Sequence, residues 1–238
     1  MDLQAAAARV PDGAYIGLGH PAPQLLVQEL IRQRRRGLRL LTVPTGGLAA
    51  ELLIAAGCAV ELETSAVELG EHGFAPGFTR ATLDGSLQVR DSSCPALLMA
   101  LQAGAAGIPF TPVPGLLGSD LLRVRPDFIV SDDPYHPGRK LVLVPALAPD
   151  FALVHARRAD RAGNAVIGIG RDDRLLIRAA GSVIASVDRI DDTPITVLAA
   201  DEQLIPAAYL DCLVLAPNPQ SETEAIAAYL ERARAVQR

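Results

Sequence analysis

The chain has 238 residues, half of them apolar and 21% charged, with a formal net charge of -5 at pH 7. That composition supplies a sizeable core, and the acidic balance argues against nucleic acid as the main partner. No apolar run reaches the ~18 residues of a membrane span, and the opening MDLQAAAARVPDG lacks the basic and long apolar regions of a signal peptide, so a soluble cytoplasmic protein is expected.

Lys140 is the only lysine, an arginine bias that reads as genome composition rather than as a phosphate site. Cys58, Cys94 and Cys212 are widely spaced and flanked by apolar residues, without metal-ligand spacing. Buried free thiols are expected.

A short helix over residues 2–9 stops at Pro11-Asp12-Gly13, and Ala14 to Gly19 reads as a buried strand entering the loop His20–Pro23. Leu26/Leu30 and Val27/Ile31 form an i,i+4 apolar stripe on the helix that follows. The run Arg32–Arg36 is expected in that helix's last turn, with Gly37 as its cap, a reading preferred to a phosphate patch. The pattern repeats as strand Leu38–Val43, loop PTGG, helix Leu48–Ala56, stop Gly57 and strand Cys58–Glu63. Alternation of this kind predicts βαβ units, an open, mostly parallel α/β sheet with helices on both faces, and a single domain over 1–238. Ligands bind such sheets at the carboxyl ends of the strands. The loops GLGHPAP, VPTGG and ELGEHGFAP emerge there, which makes Gly17, Gly19, His20, Gly46 and Gly47 candidate binding positions. GLG alone does not complete a dinucleotide fingerprint, because the third glycine is missing.

The stretch Val67–Asp120 is the most informative. It opens on Glu68, Glu71 and His72 beside Gly70 and Gly73, and closes on a Gly/Pro run with almost no charge. Glycine-dense loops let backbone approach a ligand or a partner chain. A short helix over 77–83 and an alternating strand over 86–91 follow, then a helix over 95–102 that Ser92 or Ser93 can cap. Residues 126–137 read as an extended excursion, Lys140–Pro145 and Phe151–Arg157 as strands, and Ala159–Asn164 as a tight polar turn. A helix over 172–180, a strand over 182–190 and further strand-like runs over 194–217 lead to the capping box Ser221/Glu224 that starts the last helix.

Taken together, these segments give the chain a family likeness: it resembles the type I CoA-transferases, and most closely the A (alpha) subunit of the glutaconate CoA-transferase group. The resemblance is carried by ELGEHGFAPGFTRA (68–81), LQAGAAGIPFTPVPGLLGSDLL (101–122), DPYHPGRKLVLVPALAPDFALVHARRADRAGN (133–164) and PDGAYIGLG (11–19). It implies an open α/β sheet and a heterodimer or heterotetramer with a B (beta) subunit. It also implies transfer of CoA between an acyl-CoA and a small carboxylic acid through a glutamyl-CoA thioester, which is covalent catalysis by a carboxylate. CoA is then a substrate, and no cofactor or metal is called for. In most family members the nucleophilic glutamate lies on the B half. Glu71 matches an acidic position of A-type loops, which in related ring-opening acyl-CoA hydrolases serves as the catalytic group. The resemblance therefore makes Glu71 the catalytic candidate, with His72, Gly73 and Ser119 added to the binding set. His20 stands where family members carry a glycine pair. Two alternatives stay open: a hydrolase subunit that uses Glu71, and a non-catalytic scaffold whose glycine loops form a partner interface.

Overall fold

Strand–helix alternation in the N-terminal half builds one side of a parallel sheet, and the computed structural model describes the chain over residues 1–73, 75–169 and 172–236. Phe74, within the ELGEHGFAP loop, lies outside the described residues. In chain order the elements are α1 (Leu3–Ala8), β1 (Tyr15–Leu18), α2 (Gln24–Arg32), β2 (Leu38–Thr42), β3 (Thr45–Gly46), α3 (Leu48–Ala55), β4 (Ala59–Thr64) and β5 (Ala66–Val67). Then come α4 (Pro76–Leu83), β6 (Gln88–Asp91), α5 (Cys94–Ala105), β7 (Phe110–Val113), α6 (Leu121–Val124), β8 (Ile129–Asp132), β9 (Lys140–Pro145) and β10 (Phe151–Ala156). The chain ends with β11 (Arg158–Asp160), β12 (Ala165–Gly168), α7 (Asp173–Ala179), β13 (Ser182–Val187), β14 (Ile190–Asp191), β15 (Glu202–Ile205), β16 (Cys212–Leu215) and α8 (Glu222–Val236).

Seven strands form a sheet in the order β16-β13-β10-β1-β2-β4-β6, and all its pairings are parallel. Side chains alternate across each strand, and this divides the core in two. Ile16, Leu40, Leu153 and Ile184 join the helices α1, α2 and α3 on one face. Leu41, Val154, Val183 and Ala185 join α5 and α7 on the other. Helices on both faces are what a parallel sheet requires. Three smaller sheets supplement it: β14-β11-β12-β15, the pair β3-β5, and the antiparallel β7-β9-β8. The excursion over 126–137 thus contains β8, which pairs with β9 from Ile129↔Leu143 to Asp132↔Lys140.

Two expectations change. The helix α2 ends at Arg32, with Gln33 as its C-cap. Arg34 takes a left-handed φ of 56°, and the N–H groups of Arg34 and Arg35 reach the carbonyls of Ile31 and Leu30 at 2.9 and 3.1 Å. This is a Schellman closure with arginine in the usual glycine place, so most of the Arg32–Arg36 run lies beyond the helix and Gly37 does not cap it. Cys58 and Cys212 are buried free thiols, but Cys94 is exposed. It is the first residue of α5, after the N-cap Ser93, whose hydroxyl accepts from the Ala96 N–H.

Elsewhere the expected caps form. The Ser221 hydroxyl accepts from the Glu224 N–H at 3.3 Å, and the Glu224 carboxylate takes the Ser221 N–H at 2.9 Å. The turn after β11 is tied by Asp160, which accepts from the Asn164 N–H and side-chain amide at 3.0 and 2.9 Å. Among the described residues no helix is long and apolar enough to cross a membrane.

A buried ion cluster fixes the β7–β9 excursion to the sheet. The Arg125 guanidinium donates to Glu63 at 2.7 Å, to Asp127 at 2.8 and 2.9 Å and to the Asp91 carbonyl at 3.0 Å. It also stacks on Phe128, 4.2 Å from the ring centroid. Burial works against its charge, but Asp127 and Glu63 outweigh burial and hold its pKa above the ordinary value. Removing one partner of such a pair strands the other charge, so Arg125→Met is expected to lower the unfolding free energy by about 3–5 kcal/mol. A urea titration with the slope unchanged checks this.

A second network crosses the carboxyl end of the sheet, where His155 of β10 pairs in register with Ser186 of β13. The imidazole lies 2.7 Å from the Ser186 hydroxyl through Nδ1 and 3.0 Å from the Asp188 carboxylate through Nε2. A carboxylate only accepts, so Nε2 carries the proton and Nδ1 accepts from Ser186. Burial depresses the His155 pKa, against the opposing pull of Asp188. The stability it contributes is therefore complete above the unfolded value of about 6.5 and is lost as pH falls from there through the folded value. Unfolding free energy is expected to decline over that window, and His155→Gln is expected to flatten the decline in parallel denaturant titrations.

Candidate active site

Strand pairing brings the glycine loops together. Thr45 pairs with Ala66 and Gly46 with Val67 in the two-stranded β3–β5 ladder, and the Glu68 N–H donates to the Gly46 carbonyl at 3.0 Å. A Cβ on Gly46 would lie 3.1 Å from Thr42 Cγ2 and 3.3 Å from both Ala50 and Val67, so glycine permits this close approach. Gly47 is the N-cap of α3. The loop after β1 arrives beside them, and a cavity of about 300 Å³ is lined by His20, Thr45, Gly46, Gly47, Glu68, Gly70, Glu222, Thr223 and Ile226. All three expected loops contribute to it.

His20 is held from two directions. Its N–H donates to both oxygens of Asp173, at 3.0 and 3.1 Å, and Asp173 is a buried carboxylate in the first turn of α7. Its Nδ1 lies 3.3 Å from Glu222 Oε2 in the first turn of α8. The Glu222 carboxylate also reaches Gly47, where a Cβ would stand 3.4 Å from Oε1. His20 thus forms one wall of the cavity.

Gly19 lines a small space continuous with this wall, beside His20, Gly46, Gly47 and Glu222, and a Cβ there would meet Val154 at 2.9 Å. The other candidates fall elsewhere: a Cβ on Gly17 would meet Leu176 Cδ1 at 2.2 Å. Gly70, Glu71 and His72 form a 3₁₀ turn. It is closed by Gly73 N–H to Gly70 C=O at 3.1 Å and Leu69 N–H to Gly73 C=O at 2.8 Å. Gly70 and Gly73 have φ of 58° and 80°, in the left-handed region that favours glycine. Glu71, His72 and Gly73 are exposed and do not line the cavity, whereas Glu68 does. Ser119 also lies apart, its hydroxyl donating to the Leu116 carbonyl at 2.8 Å within a turn.

Sequence reasoning missed Thr45 and the three α8 residues, and from the Glu68–Gly73 loop it selected Glu71, His72 and Gly73 rather than the lining residues Glu68 and Gly70. The capping box marked where α8 starts, but nothing local signals that its first turn returns to the β1 and β2 loops. The return is made by Asn218: its side chain accepts the Gln24 N–H at 3.1 Å and donates to the Ala22 carbonyl at 2.9 Å. Its N–H donates to Asp188 at 3.0 Å. Among the described residues no group of His, Cys, Asp and Glu is placed to hold a metal ion.

Comparison with known proteins gives this arrangement a family. A family model for coenzyme A transferase matches residues 1–216. The A subunit of the 3-oxoadipate CoA-transferase of Pseudomonas knackmussii is 33% identical over 186 residues, 75% of this chain and 64% of that protein. The cholesterol ring-cleaving hydrolase IpdA subunit of Rhodococcus jostii is 32% identical over 233 residues, 92% of this chain and 78% of that protein. An Archaeoglobus fulgidus protein is 35% identical over 77% of this chain, which spans only 42% of its length. Among solved structures, the decarboxylase AibA/AibB superposes with a TM-score of 0.87 at 34% identity, over 99% of this chain and 93% of the other. Glutaconate coenzyme A-transferase of Acidaminococcus fermentans superposes with a TM-score of 0.81 at 27% identity, over 91% of this chain and 75% of the other. The chain belongs to the coenzyme A transferase family.

Proposed function

We propose that the chain is the A subunit of a heteromeric CoA-transferase, which moves CoA between an acyl-CoA and a small carboxylic acid. The observation that carries the reading is the family match over residues 1–216, with relatives named as A subunits. The glutamate that forms the glutamyl-CoA thioester is assigned to the B partner, and CoA is a substrate rather than a bound cofactor. The cavity beside Gly46, Gly47 and Gly70 supports this role: backbone N–H groups of glycine loops suit a developing oxyanion, and a cleft of this size suits part of an acyl-CoA.

A second reading is favoured by the ring-cleaving hydrolase among the relatives. There the complex hydrolyses its acyl-CoA substrate, with Glu71 as the base that activates water. Glu71 lies close in sequence to the cavity residue Glu68 but on the exposed side of its turn, where a partner chain can cover it.

Co-expression with a candidate B chain, followed by addition of acyl-CoA, separates the two. Transfer predicts a covalent CoA adduct on the partner by intact mass, none on this chain, and CoA passed to an added carboxylic acid. Hydrolysis predicts free CoA without an acceptor. In that case Glu71→Gln is expected to lower turnover about 10²-fold or more, the usual contribution of a general base, while the complex still assembles. An unchanged rate in Glu71→Gln removes Glu71 from catalysis under either reading.

A further inference from the structure

Glu51 is fully buried, in the middle of the apolar helix segment LAAELLIA. Among the described residues it has no cationic partner. Its carboxylate instead accepts the Gly77 N–H at 2.5 Å through Oε1 and the Phe78 N–H at 2.8 Å through Oε2. The Tyr229 hydroxyl of α8 donates to the same Oε1.

Each contact has a structural reason. The N-cap of α4 is Ala75, which has no side-chain acceptor, so the first N–H groups of that helix need an acceptor from outside. Glu51 supplies it across the α3–α4 contact, and the positive end of the helix favours the anion. Gly77 lets the helices meet: a Cβ there would lie 2.7 Å from Ala55 Cβ and 2.9 Å from Glu51 Oε1. Burial, then the hydrogen bond and charge of Glu51, hold the Tyr229 phenol far above its ordinary pKa, so it stays a donor.

Of the three elements joined at this one carboxylate, α8 lines the cavity and α3 and α4 each follow in sequence a segment that does. The helix α3 begins at Gly47, and the Glu51 N–H bonds to the Gly47 carbonyl at 3.1 Å. The helix α4 follows directly on the segment that carries Glu68 and Gly70. In α8, Glu222 and Ile226 line the cavity, and Tyr229 sits about two turns below Glu222, roughly 10 Å along the axis.

We propose that Glu51 and Tyr229 are a positioning pair that holds the carboxylate-bearing loop and the first turn of α8 at a fixed separation across the cavity. This rests on the reading of that cavity as the acyl-CoA site. Neither residue touches substrate; both act through Glu68 and Glu222. A pair serving only to anchor α8 would leave the loop over 68–73 unaffected when broken.

The test uses Tyr229→Phe, which removes one oxygen and keeps the ring packed, in complex with the B partner. Hydrogen–deuterium exchange is expected to quicken both in 68–73 and in 222–228, with β2 unchanged. The KM for acyl-CoA is expected to rise about tenfold, the scale of one lost hydrogen bond to a charged acceptor, with kcat held within about twofold. Glu51→Gln, whose amide nitrogen cannot accept an N–H, is expected to exceed both effects if it folds. Faster exchange confined to α8, or no change in either segment, overturns the positioning pair. Faster exchange in both segments with KM unmoved keeps the pair and overturns the reading of the cavity.

Discussion

The reversal of strand order beside β1 is the constraint on which the rest of the structure depends. From β1 the sheet grows through β2, β4 and β6 on one side and through β10, β13 and β16 on the other. Where successive connections part in this way, the carboxyl ends of the strands leave a crevice. His20, one residue past Gly19, stands in it. Asp173 of α7 takes its N–H, and Glu222 of α8 meets its imidazole. These two helices pack into different core clusters, on opposite faces of the sheet. The crevice is therefore closed by carboxylates from both faces, and the glycines at 17 and 19 are what allow α7 and β10 to lie close enough for this.

The parallel part of the fold was legible for a physical reason. Strands buried on both faces appear as nearly unbroken apolar runs, as Ser182–Val187 does, while Leu38–Thr42 and Ala59–Thr64 carry Arg39, Glu61 and Glu63 and are marked by their place between helices. The loops between them inherit their place from the strands, so the meeting of His20, Gly46, Gly47 and Glu68 could be expected before any side chain was placed. Of the antiparallel β7-β9-β8 sheet only β9 was legible. β7 carries Pro112, which cannot donate to a ladder, and β8 is four residues ending in Ser131 and Asp132. Each is a strand only because β9, distant in sequence from β7 and separated from β8 by a turn, pairs with both.

The buried carboxylates show a different limit. Glu51, Glu63 and Asp173 are each nearly or fully buried, and each sits in an element that reads locally as ordinary helix or strand. A lone charge in a segment such as LAAELLIA is itself a signal, because carboxylates are rarely buried without partners. What the segment cannot announce is the partner. The Glu51 hydrogen bonds span 26 and 178 positions of sequence, and the Arg125–Glu63 bond spans 62. Such contacts decide how helix ends are held, and the ends of α3 and α8, at Gly47 and at Glu222–Ile226, carry part of the cavity wall.

The Glu68–Gly73 turn joins these levels. Leu69 is fully buried, the backbone closes on itself through Gly70 and Gly73, and β5 fixes the segment before it. A turn so constrained places its two exposed carboxylates differently, Glu68 on the cavity and Glu71 off it. The fold thus gives Glu68 neighbours from distant parts of the chain, Glu222 among them, and gives Glu71 none of the cavity wall.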